Sequence, residues 1–458
     1  MSNYEMKYQE DYIDLADFFA GERKVKEKAE RYTPRLEGQK NNSVAYDTYK
    51  NMGILFNALS RTRQGLKGAI IRKPVEVQFP ESQKTILEDI MLNGASFDDL
   101  TREICDLILG YGRNGVLVDI DSEEKPYAAL YGPLSILKWP EIKREGSQQE
   151  ILLKEVVKDK EEKEIEQRRK LEIDKTGKYL VTVYQKGKGA IDEWLPIPST
   201  PEAPNPRLPK YKGKRLDFIP FVFFGSSSNV PEPSRPPLLD LLSILKGHWR
   251  LTVAYQYGLH FAGLPTAWFT GFNFEDNQAI PLGPGVVHHT SEPTAKCGFL
   301  QTGGQGLADM EKGLDRLERQ MSTVGARLLE GQRPGVEAAE TVKLRSSGDS
   351  ATLSDIAGNV EAGLTDVLQY IGFWLGIPAK DCMISVNKDF VSTRLSAQDI
   401  TALLGAVQAG KISDDTFIWN LQQGEVMQDG RTIEDEKEAI AEDKIKNSRN
   451  APNLAGLV

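Results

Sequence analysis

The stretch Leu307-Ala-Asp-Met-Glu-Lys-Gly-Leu-Asp-Arg-Leu-Glu-Arg-Gln-Met-Ser-Thr-Val-Gly-Ala-Arg-Leu328 carries the clearest pattern in the chain. Leu307, Met310, Leu314, Leu317, Met321, Val324 and Leu328 recur at alternating spacings of three and four, the a/d seam of a heptad repeat. Such a seam predicts a helix packed along its length against another helix. Gly331 and Pro334-Gly335 end it.

N-terminal to the seam, Pro236-Pro237 opens an apolar-rich segment running from Leu238 to Ala262, which Gly263 and Pro265 close. Its length predicts a helix of roughly 38 Å. Trp249, Tyr255, Tyr257 and Phe261 leave it little polar face, so neighbours must cover it, other copies of the chain included. Between the two helices, residues 264–304 read as a small β-rich insertion, with Thr266-Ala-Trp-Phe-Thr270 and Gly285-Val-Val-His288 as strands. Beyond the seam, a loop-like stretch to Ser350 leads to a third long helix with Leu353, Ile356, Val360, Leu364, Val367, Ile371 and Trp374 on one face. Gly376 and Pro378 close that helix. Cys382-Met-Ile-Ser-Val386 reads as a strand, Ser396 with Asp399 as the cap of a helix to Ala409, and Ser413 as the cap of another.

The first half is mixed. Residues 44–110 read as helices, with Tyr49, Leu55, Leu59, Leu66, Ile86, Ile90, Leu100, Ile104 and Leu107 as their apolar set and Ser96 as an N-cap. Gly115-Val-Leu-Val-Asp-Ile120, Tyr127–Trp139, Tyr179–Tyr184 and Phe218–Phe224 read as strands. Residues 154–175 hold eight basic and eight acidic side chains, a polyampholyte that reads as a solvated helix or a protruding hairpin. The proline-rich stretch from Leu195 to Pro209 predicts an extended surface excursion. Arg207, Lys210, Lys212, Lys214 and Arg215 then form a basic cluster, taken from the sequence as the one such cluster in the chain. The fold class is α+β, mainly helical.

At 458 residues the chain exceeds the size at which one core keeps growing, so it divides into several packed units. A net charge of −9 gives no global basis for tight wrapping of nucleic acid or for attraction to anionic lipid, so any contact with DNA is expected to be local or weak. Three cysteines, Cys105, Cys297 and Cys382, give neither a disulfide framework nor a metal spacing and favour a reducing compartment, the cytoplasm. The N-terminus lacks the features of a signal peptide, and no apolar run is long enough for a membrane span.

Motifs for chemistry are few. Gly110-x-Gly112-x-x-Gly115 matches a dinucleotide fingerprint in letters, but it follows a helix and precedes a strand, the reverse of the order phosphate binding requires, so a turn is the better reading. Asp119-x-Asp121 lacks the rest of a calcium loop and reads as exposed strand-end acids. His288-His289 with Cys297 lacks a fourth ligand at a recognised spacing. Gly348-Asp-Ser350 follows all four histidines, which excludes the Ser…Asp…His order of the hydrolase fold it would suit. No catalytic residue, metal or cofactor is assigned.

The order of elements, a mixed first half, a long helix, a small β insertion, a heptad helix, a loop and another long helix, resembles that of tailed-bacteriophage portal proteins. Particular phrases are similar to one portal branch known mainly as a domain of unknown function: Asn57-Ala-Leu-Ser-Arg-Thr62 with Leu66-Lys-Gly68, Leu109 to Asp119, Lys125-Pro-Tyr127, Ala339-Glu-Thr341, Leu353-Ser-Asp-Ile356, Asn387-Lys-Asp-Phe390 and Ala409-Gly-Lys-Ile-Ser413.

The resemblance implies a dodecameric ring at one capsid vertex, the channel for genome packaging and ejection, assembled in the host cytoplasm and carried in the virion. It implies a wing over 1–236, stem helices over 237–263 and 305–330, a clip over 264–304, a tunnel loop over 331–350, a long wing helix over 351–376 and a crown over 377–458. Within the tunnel loop, Gln332, Arg333, Gly335, Val336 and Glu337 would touch DNA transiently, and the seam residues Leu307 to Leu328 would form the subunit interface. The implied partners are further copies of the chain, the large terminase, a head–tail adaptor or neck protein, and the major capsid and scaffold proteins. A head–neck adaptor or other homo-oligomeric scaffold is the first alternative, and a Mg²⁺-dependent nucleic-acid enzyme using Asp119 and Asp121 the second.

Overall fold

The computed structural model describes residues 5–121, 123–140, 149–158, 162–187, 193–201, 203–264, 266–274, 280–283, 285–300, 305–326, 339–386, 388, 397–423, 426–427 and 433–449. The fold is α+β and mainly helical. The chain forms two compact units, residues 1–330 with 338–388, and residues 331–337 with 389–458.

The first unit begins with helices α1 (Glu5–Ala20), α2 (Glu22–Glu27), α3 (Ala29–Tyr32), α4 (Ser43–Asn51) and α5 (Ala58–Ile70). Strand β1 (Glu76–Gln78) follows, then α6 (Phe97–Tyr111). Ser96 caps α6 in a full capping box: its hydroxyl accepts from the Asp99 amide at 3.2 Å, and the Asp99 carboxylate accepts from the Ser96 amide at 3.1 Å. The reading of residues 44–110 as helices needs correction between α5 and α6, because Glu76–Gln78 is a strand, residues 81–88 are 3₁₀ and Ile90 to Ala95 form a turn. Pro80 at the entry and Asn93-Gly94 at the exit interrupt the α pattern there.

Gly112 ends α6 in the left-handed region at φ 73°, with its amide bonded to the Ile108 carbonyl. A Cβ at that position would lie 2.8 Å from the Arg235 carbonyl oxygen. Gly112 makes the helix-to-strand turn, with Gly110 in the last turn of α6 and Gly115 inside the following strand, so the three follow a helix and lead into a strand, as their order in sequence indicated. Strands β2 (Arg113–Ile120) and β3 (Pro126–Tyr131) come next, then β4 (Ile136–Lys138), β5 (Glu150–Lys158), β6 (Glu164–Ile173), β7 (Tyr179–Lys186) and β8 (Trp194–Pro196). The last five form one antiparallel sheet in chain order. The charge-balanced stretch is therefore the hairpin of the two alternatives. Its alternation buries Ile151, Leu153 and Leu171 on one face, while oppositely charged residues meet across strands, Lys154 with Glu166 at 2.9 Å.

Short strands β9 (Lys210–Tyr211) and β10 (Lys214–Arg215) make a two-residue hairpin, with Lys212 and Gly213 at φ 47° and 79° in the turn. Strand β11 (Phe221–Gly225) then completes a second sheet in the order β11-β2-β3. Helix α7 (Leu239–Gly263), the hairpin β12 (Thr266–Thr270) and β13 (Lys296–Leu300), α8 (Gln305–Ala326), α9 (Ala339–Leu375) and β14 (Met383–Ser385) follow. The strand expected at Gly285–His288 is not one; Lys296–Leu300 pairs with β12 instead. The Val286 amide closes a turn on the Gly283 carbonyl at 3.1 Å, Gly285 sits in the left-handed region at φ 85°, and Val286 and Val287 face water.

Helix α9 starts at Ala339, earlier than the sequence reading placed it. Residues 339–347 carry Ala, Glu, Lys, Leu and Arg and no proline, so their own propensity extends the helix backward. Its predicted apolar face is buried along its length, from Leu353 at 8 % exposed through Val360, Leu364, Val367 and Ile371 at 0 % to Trp374 at 9 %. That face covers the β11-β2-β3 sheet: a Cβ on Gly363 would meet the Phe224 ring at 2.4 Å, and Asn359 Nδ2 donates to the Gly225 carbonyl at 3.1 Å. Strand β14 pairs with β1, so residues 377–388 belong with the first unit and not with the C-terminal helices.

The second unit holds α10 (Ala397–Gln408), α11 (Asp414–Gln423) and α12 (Ile433–Arg449). The Ser413 hydroxyl caps α11 by accepting from the Thr416 amide. Ser396, read as the cap of α10, lies outside the described residues.

Candidate interaction surfaces

Helices α7 and α8 run antiparallel against each other. Gly258 faces Leu307, whose Cδ2 would be 2.7 Å from a Cβ there, and Gly313 faces Leu251 at 3.0 Å. His248 Nε2 meets Glu318 Oε1 at 3.2 Å, and Gly325 lies against Leu241 and against Thr62 of α5. Helix α8, which carries the heptad seam, is thus engaged by α7 of the same chain. Periodicity identifies a packed face; it carries no information on which chain supplies the partner. Met321 is buried in this packing, while Leu307, Met310, Leu314, Leu317 and Val324 keep partial exposure. Leu328 lies outside the described residues, as do Gln332, Arg333, Gly335, Val336 and Glu337.

The proximal half of α7 is buried, with Leu241, Leu245, Trp249 and Val253 at 0 % exposed. Trp249 donates from Nε1 to Thr33 Oγ1 at 2.8 Å. The distal end is different. Leu259, Phe261 and Leu264 are exposed, and so are Trp268, Val287 and Phe299 of the β12–β13 module, Val287 at 84 % and Phe299 at 64 %. Within the module Phe269, Phe272, Phe274 and His288 pack ring against ring, with centroids 5.3–5.8 Å apart. Clusters of large apolar side chains facing water mark a contact surface.

Asp119 is the acid the sequence placed wrongly. It is fully buried, and its carboxylate is paired with Arg207, whose Nη1 also donates to the Ile120 carbonyl. Burial, helped by the Asp119 charge, pushes the neighbouring Tyr127 up to about 12. Asp121 is exposed and serves a turn, accepting from the Glu123 and Lys125 amides at 2.8 and 2.9 Å. Both carboxylates thus have structural partners. A second buried network joins Glu155 to Arg169 Nε at 2.7 Å, Tyr131 at 2.6 Å and Gln167 at 2.6 Å. Burial alone would raise the Glu155 pKa, but the Arg169 guanidinium outweighs it and holds the carboxyl below its usual range.

The proline-rich excursion is extended, as expected, but it is stitched down. Asn205 Nδ2 donates to the Val183 and Ile197 carbonyls, and the backbone of Arg207 exchanges hydrogen bonds with Val181. Of the basic cluster, Arg207 and Arg215 are spent on Asp119 and Asp174, and the Tyr211 ring packs against Phe373 at a tilt of 42° with centroids 4.6 Å apart. The cluster is also not the only acid-free basic stretch. Residues 58–73 hold Arg61, Arg63, Lys67, Arg72 and Lys73, with Arg63 and Lys67 straddling Asp106 at 3.1 and 3.0 Å.

His288 Nε2 contacts the Pro281 carbonyl oxygen at 2.7 Å, and Cys297 is exposed on β13. Among the described residues no group of three His, Cys, Asp or Glu is placed to hold a metal ion, and no helix is long and apolar enough to cross a membrane.

Residues 237–375 match a family model described as a domain of unknown function, DUF4055. The match begins at the entry of α7 and ends with α9. No curated protein matches the chain. Among solved structures, a chain of the virion of a native gene transfer agent particle is similar at 11 % identity and a TM-score of 0.39, covering 88 % of this chain and 96 % of that one. Chains from the neck of the empty particle, computed with C6 symmetry, and of the native particle, computed with C12 symmetry, match at 10 % and 12 % identity. Both have a TM-score of 0.39 and cover 84 % and 85 % of this chain and 94 % of each of those chains.

Proposed function

We propose that this protein is a structural subunit of a tailed-phage particle, and specifically the portal: a homo-oligomeric ring at one capsid vertex through which the genome enters and leaves. The observation that carries the reading is the α7–β12–β13–α8 excursion, two long paired helices bearing a small module: Phe261 and Leu264 at the distal end of α7 and Trp268, Val287 and Phe299 of the module face water in the single chain. A ring gives every subunit two neighbours and can bury such surfaces, whereas a monomer leaves them wet. The family match over 237–375 spans this excursion and α9, and two of the phrases similar to the portal branch, Ala339-Glu-Thr341 and Leu353-Ser-Asp-Ile356, lie in α9.

In this reading α7 and α8 are the stem, residues 264–304 the clip that meets the terminase during packaging and the neck afterwards, and residues 331–337 part of the tunnel loop. The seam residues Leu307, Met310, Leu314, Leu317, Met321 and Val324 lie on the helix that packs along α7, and in this reading the seam, which the sequence continues to Leu328, also meets the next subunit. A ring built from chains of net charge −9 repels DNA at long range, so the duplex slides without being gripped. Positioning of DNA is the function; no step of chemistry is assigned to any residue.

Electron-microscopy class averages of the purified protein test the proposal. A twelve-fold ring with a central hole is the expected result; a monomer or dimer at micromolar concentration overturns it, and a ring of another symmetry without portal dimensions favours the adaptor reading. Mg²⁺-dependent nuclease or ATPase turnover that is lost in Asp119→Ala would overturn the non-enzymatic reading.

A further inference from the structure

Two hairpin turns of the first unit lie side by side and carry lysines that the fold leaves without acids. Arg215 Nη2 donates to Asp174 Oδ2 at 2.7 Å, and the Tyr179 amide donates to the Leu216 carbonyl at 2.9 Å, so the β6–β7 turn, residues 174–178, is fixed against the β9–β10 hairpin. Asp174 is spent on that pair and on its own turn, where it accepts from the Thr176 and Lys178 amides. Asp217, the next acid along, sits 3.9 Å from Lys178 Nζ. Lys175, Lys210, Lys212 and Lys214 are exposed, and none has a carboxylate partner among the described residues. The hairpin tip is held in place. Lys212 stands at φ 47°, in the left-handed region that few lysines enter. Tyr211 packs on Phe373 and Trp374, and a Cβ on Gly376 would lie 3.2 Å from the Tyr211 hydroxyl and 3.8 Å from Lys212 Nζ, so the end of α9 backs the hairpin.

We infer that these two turns form a local contact site for the phosphate backbone of duplex DNA, made by Lys175, Lys210, Lys212 and Lys214. The choice of partner follows from what the surface lacks as well as from its charge. Tyr211 is the one large apolar side chain in residues 210–215, and it is turned inward against α9. The hairpin therefore offers no anchor of the kind that centres a protein–protein contact, and such contacts are depleted in lysine. A lysine ammonium needs only a nearby anion, and a row of phosphates supplies several at once with release of counterions. Phosphate contacts carry no base sequence, so the site takes any duplex alike. With four lysines in a chain of net charge −9, attachment is weak and salt-labile, which is compatible with DNA that slides. The inference rests on the genome-conduit reading for the presence of DNA, and it adds a contact site outside the proposed tunnel loop.

Fluorescence anisotropy of a labelled duplex of about 20 bp, titrated with the full chain between about 50 and 200 mM salt, tests this. Replacing Lys210, Lys212 and Lys214 together by Gln is expected to flatten the slope of log affinity against log salt by about 2.7, three phosphate contacts at about 0.9 each, while replacing them by Arg keeps the slope. Lys40→Gln, Lys84→Gln and Lys125→Gln together remove the same charge from lysines paired with Glu37, Glu81 and Asp89, and are expected to leave the slope as it is. No binding at about 50 mM salt, or a Gln variant that matches the wild-type slope, overturns the inference. Displacement of the duplex by polyglutamate at a lower charge concentration than by unlabelled duplex also overturns it, and assigns the turns to an acidic polypeptide. Electron-microscopy class averages of the same Gln variant keep the two readings apart. Rings with a flattened slope sustain both, and rings with an unchanged slope overturn the inference alone. Lysine-dependent binding by a chain that forms no ring sustains the contact site and overturns the ring.

Discussion

Phe261→Ser separates assembly from folding. Phe261 lies near the distal end of α7 and is 47 % exposed in the single chain. A phenylalanine offers roughly 200 Å², so about 95 Å² remains for a neighbour to cover, worth roughly 2 kcal/mol at about 25 cal/mol per Å². In the isolated chain the substitution removes the packing of Phe261 on Tyr257, whose ring centroid is 4.7 Å away at 73°. That loss amounts to about 1 kcal/mol. The expected result is a monomer that unfolds at slightly lower denaturant, together with an assembly midpoint raised about thirtyfold in protein concentration per contact. Mass photometry across a dilution series reads the second quantity, and circular dichroism of the dilute chain reads the first. If the assembly midpoint does not move while the monomer loses its expected stability, the distal α7 surface is not a contact between copies, and the central argument for a ring fails.

Other expectations follow from the buried charges and close approaches. Arg207→Ala leaves the fully buried Asp119 carboxylate without its partner and should destabilise the first unit by about 3 kcal/mol in denaturant unfolding, with Asp119→Asn added to it restoring part of the loss. Asp14 of α1 is held by Lys246, Arg31 and Tyr32; burial would raise its pKa, but these hydrogen bonds prevail and lower it. A lowered carboxyl stabilises the fold above its unfolded value, about 4, and loses that contribution as pH falls through the folded value. The unfolding midpoint should therefore drop on acidification below about pH 4 and drop less steeply in Asp14→Asn. Gly115→Ala would place a Cβ 2.3 Å from the Phe221 ring across the β2–β11 pair, so a loss of about 1–3 kcal/mol in thermal unfolding is expected.

Local patterns were legible wherever a residue's role depends on near neighbours in the chain. The α6 capping box, the αL glycine after it, the ends of α7 and the buried face of α9 all follow from spacing and from the special backbone of Ser, Gly and Pro. The start of α9 was obscured, because Pro334-Gly335 marks a break and the helix formers after it, Ala339, Glu340, Lys343, Leu344 and Arg345, are mixed with Thr341, Val342, Ser346, Ser347 and Gly348, which weaken the signal. The role of Asp119 was hidden for another reason. Its partner Arg207 is 88 positions away, and an acid at a strand end looks the same whether the sheet above it is covered or open. The α-versus-hairpin ambiguity at 154–175 was of the same kind, since a charge-balanced segment takes its form from cross-strand partners such as Glu155 and Arg169.

By itself the sequence determined an α+β chain with long apolar helices, four histidines and a net charge of −9. Those properties reside in composition and in periods of a few residues. Only the tertiary structure decided that α8, which carries the heptad seam, packs along α7 of its own chain, that Asp119 is sealed by Arg207, and that exposed apolar surface gathers at the far end of the α7–α8 pair. Each of these is a statement about which distant residues share a volume. Burial is fixed by the packing of the whole chain and is not encoded at any single position.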